Sequence, residues 1–360
     1  MTSKIGVALS GGGLRGLAHL GVLQVLEEAG IPVDVAAGTS MGGIVAGLYA
    51  AGVPVQDLVS VGKKLGIMDF ASPDGRWQGL FGHKKLAQFL ADLLGAQDIT
   101  FEDLRIPAAV VAADVETGEL VVLDEGPLIP ALLATSAFPI VFSPMYYRGR
   151  WLIDGGTLNN LPVDVVRQMG ADRVIGVDVP PSVELPTEYG ENRDGLSMRA
   201  LFSVANHTHD WKLPFLIAET SVELAASAVT RTRLALYPPD LLLEISLPNV
   251  GLFTSGKNAE VIEAGYAAAM DRLADLIELK TKPTSSCWQR RLARAMRRLH
   301  RAWATLRDMQ EKDSGNLAWD TAQAQGDEVS EWMDADPVAD MKAARPTRRH
   351  LHQASEGRQW

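Results

Sequence analysis

An α/β sheet with helices on its faces is predicted by three observations in the first 280 residues. Short β-branched runs alternate with glycine-punctuated helical patterns, two strand–turn–helix units stand back to back at the amino end, and their helices close on a glycine followed by a proline. The first strand is Ile5 to Leu9. A helix follows from Leu17 to Ala29, with Leu20, Leu23, Val25 and Leu26 at helical spacing, and Gly30 and Pro32 end it. Val33 to Ala37 is the second strand, and the helix Gly42 to Ala51 ends in the same way at Gly52 and Pro54. A helix over Lys84 to Leu94 comes next. Further strands are predicted at Ala108 to Ala113, at its hairpin partner Glu119 to Leu123, and at Arg150 to Ile153, Arg173 to Val179 and Leu241 to Leu247. Val179 to Gly195 reads as a loop, Leu201 to Val229 as helical, and Ala259 to Leu279 as one helix closing the domain.

Composition narrows the class. Apolar residues make up 47% of the 360 and charged residues 22%, which excludes a collagenous, wholly disordered or disulfide-stapled chain. The one cysteine, Cys287, allows no intrachain disulfide. With no Cys/His spacing of metal-site type, structural zinc is not expected and a reducing, cytoplasmic setting is. The apolar stretch near the start, Ile5 to Leu9, is too short for a signal-peptide core. The apolar region Val35 to Val55 is interrupted by five glycines and reads as a buried strand and helix, not a membrane span.

Charge is unevenly distributed. Residues 281–312 hold nine Lys or Arg against Asp308 and Glu311, a net +7, which leaves −17 for the rest. Within this segment Trp288, Leu292, Met296, Leu299, Trp303 and Leu306 recur every three or four residues with arginines opposite, the pattern of a basic amphipathic helix. Two readings stay open. The apolar stripe packs on protein, or residues 287–309 hold the chain peripherally on an anionic membrane, at its inner face, where Trp favours the interface. No nucleic-acid partner is expected from an acidic body. Beyond residue 312 periodicity fades, so the expected organisation is a catalytic domain at 1–280, a basic helix at 281–312 and a disordered tail at 313–360.

Two glycine loops carry the chemistry. Gly11-Gly12-Gly13-Leu14-Arg15-Gly16 lies between a strand and a helix and fits the dinucleotide pattern G-x-G-x-x-G. The acidic partner of that pattern should end the second strand, whereas Asp34 begins it, so the nucleotide reading is weak. Inward-turned glycine amides and the helix end behind them suit an anion of either kind, a phosphate or a tetrahedral oxyanion. The second loop, Gly38-Thr39-Ser40-Met41-Gly42, matches G-x-S-x-G in the strand-to-helix context that this nucleophile elbow needs, with the Met41 N–H at the helix start. Ser40 is therefore the candidate nucleophile, and it needs a base. Asp154 ends a predicted strand before Gly155 and Gly156, which places a carboxylate at the carboxyl edge of the sheet. His207 and His209 are the alternative, completing a triad. His19 and His83 fall in or at helices and read as structural.

Taken in order, the glycine loop at 11–16, Gly-Thr-Ser-Met-Gly at 38–42 and Asp-Gly-Gly at 154–156 resemble the patatin-like phospholipase family. The likeness extends through Ala134-Thr-Ser-Ala-Phe-Pro-Ile-Val-Phe-Ser-Pro144 and is strongest to bacterial members related to the catalytic domain of neuropathy target esterase. The resemblance covers about residues 1–275. It implies a three-layer sandwich with a mainly parallel central sheet and helices on both faces. It also implies a Ser40–Asp154 dyad in place of a triad, backbone amides of Gly11, Gly12 and Gly13 as the oxyanion hole, and Arg15 ordering the glycine loop or meeting lipid phosphate. The expected substrate is a phospholipid, a lysophospholipid or another ester, with no cofactor and no metal.

Overall fold

In the computed structural model, residues 3–70, 81–139, 141–181, 212–248, 250–252, 254 and 256–281 are described. All lie in the first of two units into which the chain divides, Met1–Leu317; the second, Ala318–Trp360, lies outside the described residues. The same is true of the basic segment from residue 282, of Cys287, and of His207 and His209.

The described strands form one eight-stranded sheet: β1 (Ile5–Leu9), β2 (Val35–Thr39), β3 (Ala108–Asp114), β4 (Leu120–Leu123), β5 (Met145–Tyr147), β6 (Arg150–Asp154), β7 (Arg173–Asp178) and β8 (Leu241–Glu244). Its order is β5-β6-β3-β2-β1-β7-β8, with β4 paired to β3. The pairs β3–β2, β2–β1, β1–β7 and β7–β8 are parallel, while β4, β5 and β6 join antiparallel.

Ten helices accompany them among the described residues: α1 (Ala18–Glu28), α2 (Met41–Ala51), α3 (Val55–Gly62), α4 (Lys84–Leu94), α5 (Leu128–Thr135), α6 (Gly156–Asn159), α7 (Val163–Gln168), α8 (Lys212–Leu236), α9 (Asn258–Asp271) and α10 (Leu273–Thr281). Successive strand residues face opposite sides, so each strand must be covered twice. On one side Ala8, Val35, Ala37, Val111 and Val174 pack against Val163, Val165 and Val166 of α7, with Leu234 of α8 beside them. On the other, Gly38 of β2 abuts the backbone of Gly42 and Gly43 in α2. Helices thus cover both faces, and the fully buried β1, β2 and β3 read as near-continuous small apolar runs for that reason.

Differences from the predicted elements have local causes. The second strand starts at Val35, two residues later than expected, because Asp34 spends its carboxylate on the Ile5 N–H (2.8 Å) at the strand's entry. The predicted closing helix is divided at Arg272, whose backbone departs from helical geometry at φ −108° and ψ 17°. Residues 212–236 form one helix of 25 residues, extending beyond the predicted end at Val229. The short strand β5 and the helices α3, α5, α6 and α7 carried no signal of their own in the sequence reading.

Candidate active site

Register on β3 builds the site. Val111 pairs with Thr39 of β2 and with Val122 of β4, while Ala112 pairs with Asp154 of β6 and Val121 of β4. Since β4 occupies one edge of β3, β2 and β6 share the other, running in opposite directions. Their carboxyl ends meet at adjacent registers, 111 and 112, which brings Ser40, one residue past β2, beside Asp154, the last residue of β6.

The elbow is strained as its motif demands. Ser40 sits at φ 54° and ψ −127°, a region L-residues rarely occupy and one that costs about 1–3 kcal/mol. The flanking glycines make the turn possible. A Cβ on Gly38 would lie 2.2 Å from the Gly42 carbonyl oxygen, and one on Gly42 would lie 2.4 Å from the carbonyl oxygens of both Leu9 and Ser10. Thr135 at the end of α5 holds the turn: its Oγ1 accepts the Ser40 N–H at 3.0 Å and donates to the Val111 carbonyl at 2.5 Å. Thr39 Oγ1 donates to the Asn159 carbonyl at 2.8 Å, tying the elbow to the segment after Asp154.

Asp154 is 3% exposed. Its Oδ1 accepts the Gly156 N–H at 2.8 Å. Burial raises its pKa to about 6, outweighing the opposing pull of the neighbouring Ser40 hydroxyl and the Gly156 N–H. Gly155 is required by packing, since a Cβ there would lie 2.3 Å from the Val111 carbonyl oxygen.

The glycine loop runs past the same point. A Cβ on Gly11 would lie 3.1 Å from Ser40 Cβ, and one on Gly16 would lie 2.6 Å from Met41 Cγ. The Gly11 N–H is already donated to Asn160, whereas among the described residues the Gly12 and Gly13 N–H groups meet no protein acceptor. Arg15 is 2% exposed and its guanidinium donates to Glu223 of α8, tying the loop to that helix. Burial raises nearby Asp178 to about 6 and Glu219 to about 7. His19 Nε2–H donates to the Ser10 carbonyl (2.7 Å) and the ring is lowered by burial to about 4, while His83 Nε2 meets the Ser143 carbonyl (2.7 Å).

Gly11 to Gly13, Arg15, Ser40, Met41, Asp154 and Gly156 all border one cavity of about 240 Å³. Its walls are mostly apolar, among them Leu17, Leu20, Leu86, Phe89 and Leu93. Met41, Ile44, Val45 and Leu48 form a single stripe of α2 along it, spanning about 10 Å at 1.5 Å per residue. Neither His19 nor His83 borders it. Among the described residues no three His, Cys, Asp or Glu side chains cluster in a way that would hold a metal ion, and no helix is long and apolar enough to cross a membrane.

Asn160 and Thr135 were not singled out by the sequence reading. Thr135 lies inside the Ala134–Pro144 stretch that contributed to the resemblance, and Asn160 follows the Asp-Gly-Gly turn by four residues; both are ordinary residue types whose roles arise only from contact.

The site thus sets a serine on a strained elbow beside a buried aspartate and, among the described residues, beside two glycine N–H groups without a protein acceptor, on a parallel-centred α/β sheet. Residues 7–167 match the family described as Patatin-like phospholipase, and this chain carries that domain. An uncharacterized NTE family protein of Mycobacterium bovis is 29% identical over 331 residues, covering 75% of this chain and 91% of that protein. Patatin-like phospholipase domain-containing protein 6 of Mus musculus is 31% identical over 286 residues, covering 73% of this chain and 20% of that longer protein. A lysophospholipase of Pyricularia oryzae is 26% identical over 285 residues, 76% of this chain and 18% of that protein. The crystal structure of VipD from Legionella pneumophila shares the fold, with a TM-score of 0.50 at 14% identity over 96% of this chain and 82% of that chain.

Proposed function

We propose that this protein is a serine-dependent lipid acyl hydrolase, acting on a phospholipid, a lysophospholipid or another carboxylic ester through a Ser40–Asp154 dyad and an acyl-enzyme. The observation that carries this reading is the placement of Ser40, on a strained elbow, beside the buried Asp154 by the adjacent registers of β2 and β6 on β3, both at the wall of an apolar cavity. The names of the mouse and fungal relatives, a patatin-like phospholipase and a lysophospholipase, support the substrate class.

The steps balance with no cofactor. Ser40 Oγ attacks the ester carbonyl carbon as Asp154 takes its proton, and the oxyanion forms against the Gly12 and Gly13 N–H groups, donors already oriented and so needing no reorganisation. Collapse breaks the carbon–alcohol oxygen bond, and Asp154 returns the proton to the leaving alcohol. Water, deprotonated by Asp154, then releases the acid and restores Ser40. An aspartate with an ordinary pKa is a poor base. The raised value of about 6 brings Asp154 closer to the proton affinity the step needs while leaving it ionised at neutral pH. The apolar stripe on α2 suits an acyl chain laid along it from the serine.

The basic segment 287–309 supplies a means of reaching such a substrate, each Arg near an anionic leaflet contributing about 1 kcal/mol.

The test is intact-mass labelling by a fluorophosphonate of wild type, Ser40→Ala and Asp154→Ala, with peptide mapping. A single adduct on Ser40, absent from Ser40→Ala and much slowed in Asp154→Ala, is expected. Undiminished labelling and ester turnover by Asp154→Ala would transfer the base to His207 or His209.

A further inference from the structure

The glycine loop contacts Asn160 in an unusual way. Its side chain treats Gly11 as a strand partner would, Oδ1 accepting the Gly11 N–H at 3.1 Å and Nδ2 donating to the Gly11 carbonyl at 3.3 Å. Its backbone carbonyl accepts the same N–H at 3.2 Å. The partners dictate the orientation of the carboxamide, since an N–H requires an acceptor and a carbonyl a donor. Only glycine tolerates this approach, because a Cβ at residue 11 would stand 2.6 Å from Asn160 Oδ1.

Resting on the hydrolase reading above, we infer that Asn160 is a positioning residue for the oxyanion hole, aiming the Gly12 N–H by holding the Gly11 carbonyl. In a planar trans peptide the C=O and the following N–H point in opposite directions. A carbonyl of Gly11 fixed by Nδ2 therefore turns the Gly12 N–H away from Asn160. The next plane is set in the same manner, the Gly12 carbonyl accepting the Arg15 N–H at 3.1 Å and so orienting the Gly13 N–H. The first plane depends on a side chain and the second on the loop's own backbone, which makes the first the one that substitution can release.

Position in the chain gives the arrangement a second consequence. Asp154 and Asn160 flank the short helix α6, with the Gly156 N–H on Asp154 Oδ1 at 2.8 Å and a Cβ on Gly156 3.0 Å from Asn160 Oδ1. The segment that carries the base thus also sets the direction of an oxyanion donor. Base and donor are held in mutual register by six residues.

The test uses the full chain with p-nitrophenyl butyrate as substrate and a trifluoromethyl ketone as a probe of the oxyanion hole. Asn160→Ala is expected to lower kcat about 10- to 100-fold, the scale of a misplaced catalytic group, with KM within about threefold. The ketone, whose serine adduct bears an oxyanion, should lose affinity by the same factor as kcat. Asn160→Asp keeps the volume and the Oδ1 acceptor but lacks the Nδ2 donor, and it carries the test if the alanine variant does not fold. It is expected to lose about tenfold or more in kcat and to shift the acid limb of the pH–rate profile upward, since a second carboxylate stands near Asp154. A folded variant that keeps kcat within threefold of wild type, or that loses kcat while binding the ketone unchanged, overturns the inference and leaves the hydrolase reading intact. A wild type with neither ester turnover nor a Ser40 adduct overturns both.

Discussion

At residue scale, Asp154 concentrates the conflict between stability and chemistry. Its carboxylate is buried, with the Gly156 N–H and the neighbouring Ser40 hydroxyl too little to offset the lost hydration, so ionising it is costly, and that cost is what raises its pKa to about 6. As the base must be ionised, turnover of a soluble ester by the wild type should rise through about pH 6 and level off above it, which a pH–rate profile reads directly. Asp154→Asn keeps an oxygen for the Gly156 N–H and removes the buried charge. It should lower kcat by about 10² to 10⁴ and at the same time raise the thermal midpoint at pH 8. An active asparagine variant, or one no more stable than wild type at pH 8, would remove Asp154 from the role of buried, ionised base. Thr135 is a contact of a different kind. Thr135→Val leaves the Ser40 N–H without its acceptor in a buried turn, with an expected loss of about 1–3 kcal/mol in denaturant unfolding and slower labelling of Ser40 by a fluorophosphonate.

At the scale of elements, the elbow works because three backbones pass within reach of one another. Gly42 in the first turn of α2 lies against the carbonyl oxygens of Leu9 and Ser10 at the end of β1, and neither can yield without displacing the strand. Gly42→Ala should therefore destabilise the protein by about 1–3 kcal/mol and cost activity out of proportion to that, because the displaced element carries Ser40. Alanine at Gly95, which ends α4 at φ 68° with nothing within 4 Å, serves as the comparison: it bears backbone strain without a clash and lies away from the cavity. Equal activity losses in the two variants would mean that the crowding at Gly42 has no particular bearing on the nucleophile. The 3-10 turn Gly13–Leu17 is pinned from the other side, the Leu252 carbonyl accepting the Leu14 N–H at 2.8 Å. A chain segment more than 230 residues away in sequence thereby supports the glycine loop.

At the scale of the whole molecule, burial of acids gives stability a definite pH dependence. Asp154 and Asp178 at about 6 and Glu219 at about 7 keep protons in the folded chain that the unfolded chain has already released, so each makes stability fall as pH rises through its window between about 4 and 7. His19, lowered to about 4, acts oppositely, because the unfolded chain binds a proton that the folded chain refuses between about 4 and 6.5. Three groups against one leave the balance falling, and urea unfolding should show greater stability at pH 5.5 than at pH 8. A rise over that interval would place these acids in surroundings far wetter than described. The charge asymmetry makes a separate prediction. Removing residues 282–360 should leave turnover of p-nitrophenyl butyrate unchanged and abolish cosedimentation with anionic vesicles in low salt, while retained cosedimentation would assign membrane contact to the domain itself.

Local signals made much of this protein readable before folding. Gly-Thr-Ser-Met-Gly between a β-branched run and a helical one marked the elbow; Gly38 is demanded by the turn itself, where a Cβ would meet the Gly42 carbonyl, and Gly42 by the end of β1. Ile5–Leu9, Lys84–Leu94 and the hairpin at Leu120–Leu123 were legible for a like reason, each being a short-range pattern ended by its own turn residues. Asp-Gly-Gly alone read equally well as a common turn, and Asn160 and Thr135 as nothing in particular. What raised them to a site is the pairing of β2 and β6 on one edge of β3, where registers 111 and 112 join residues more than 110 positions apart. The sequence by itself determined where a nucleophile elbow was able to form, since the strand, the tight turn and the helix start are short-range patterns. Only the tertiary structure decided which carboxylate faces the serine and which amides remain free, because both depend on strand register, and register is a property of the whole sheet.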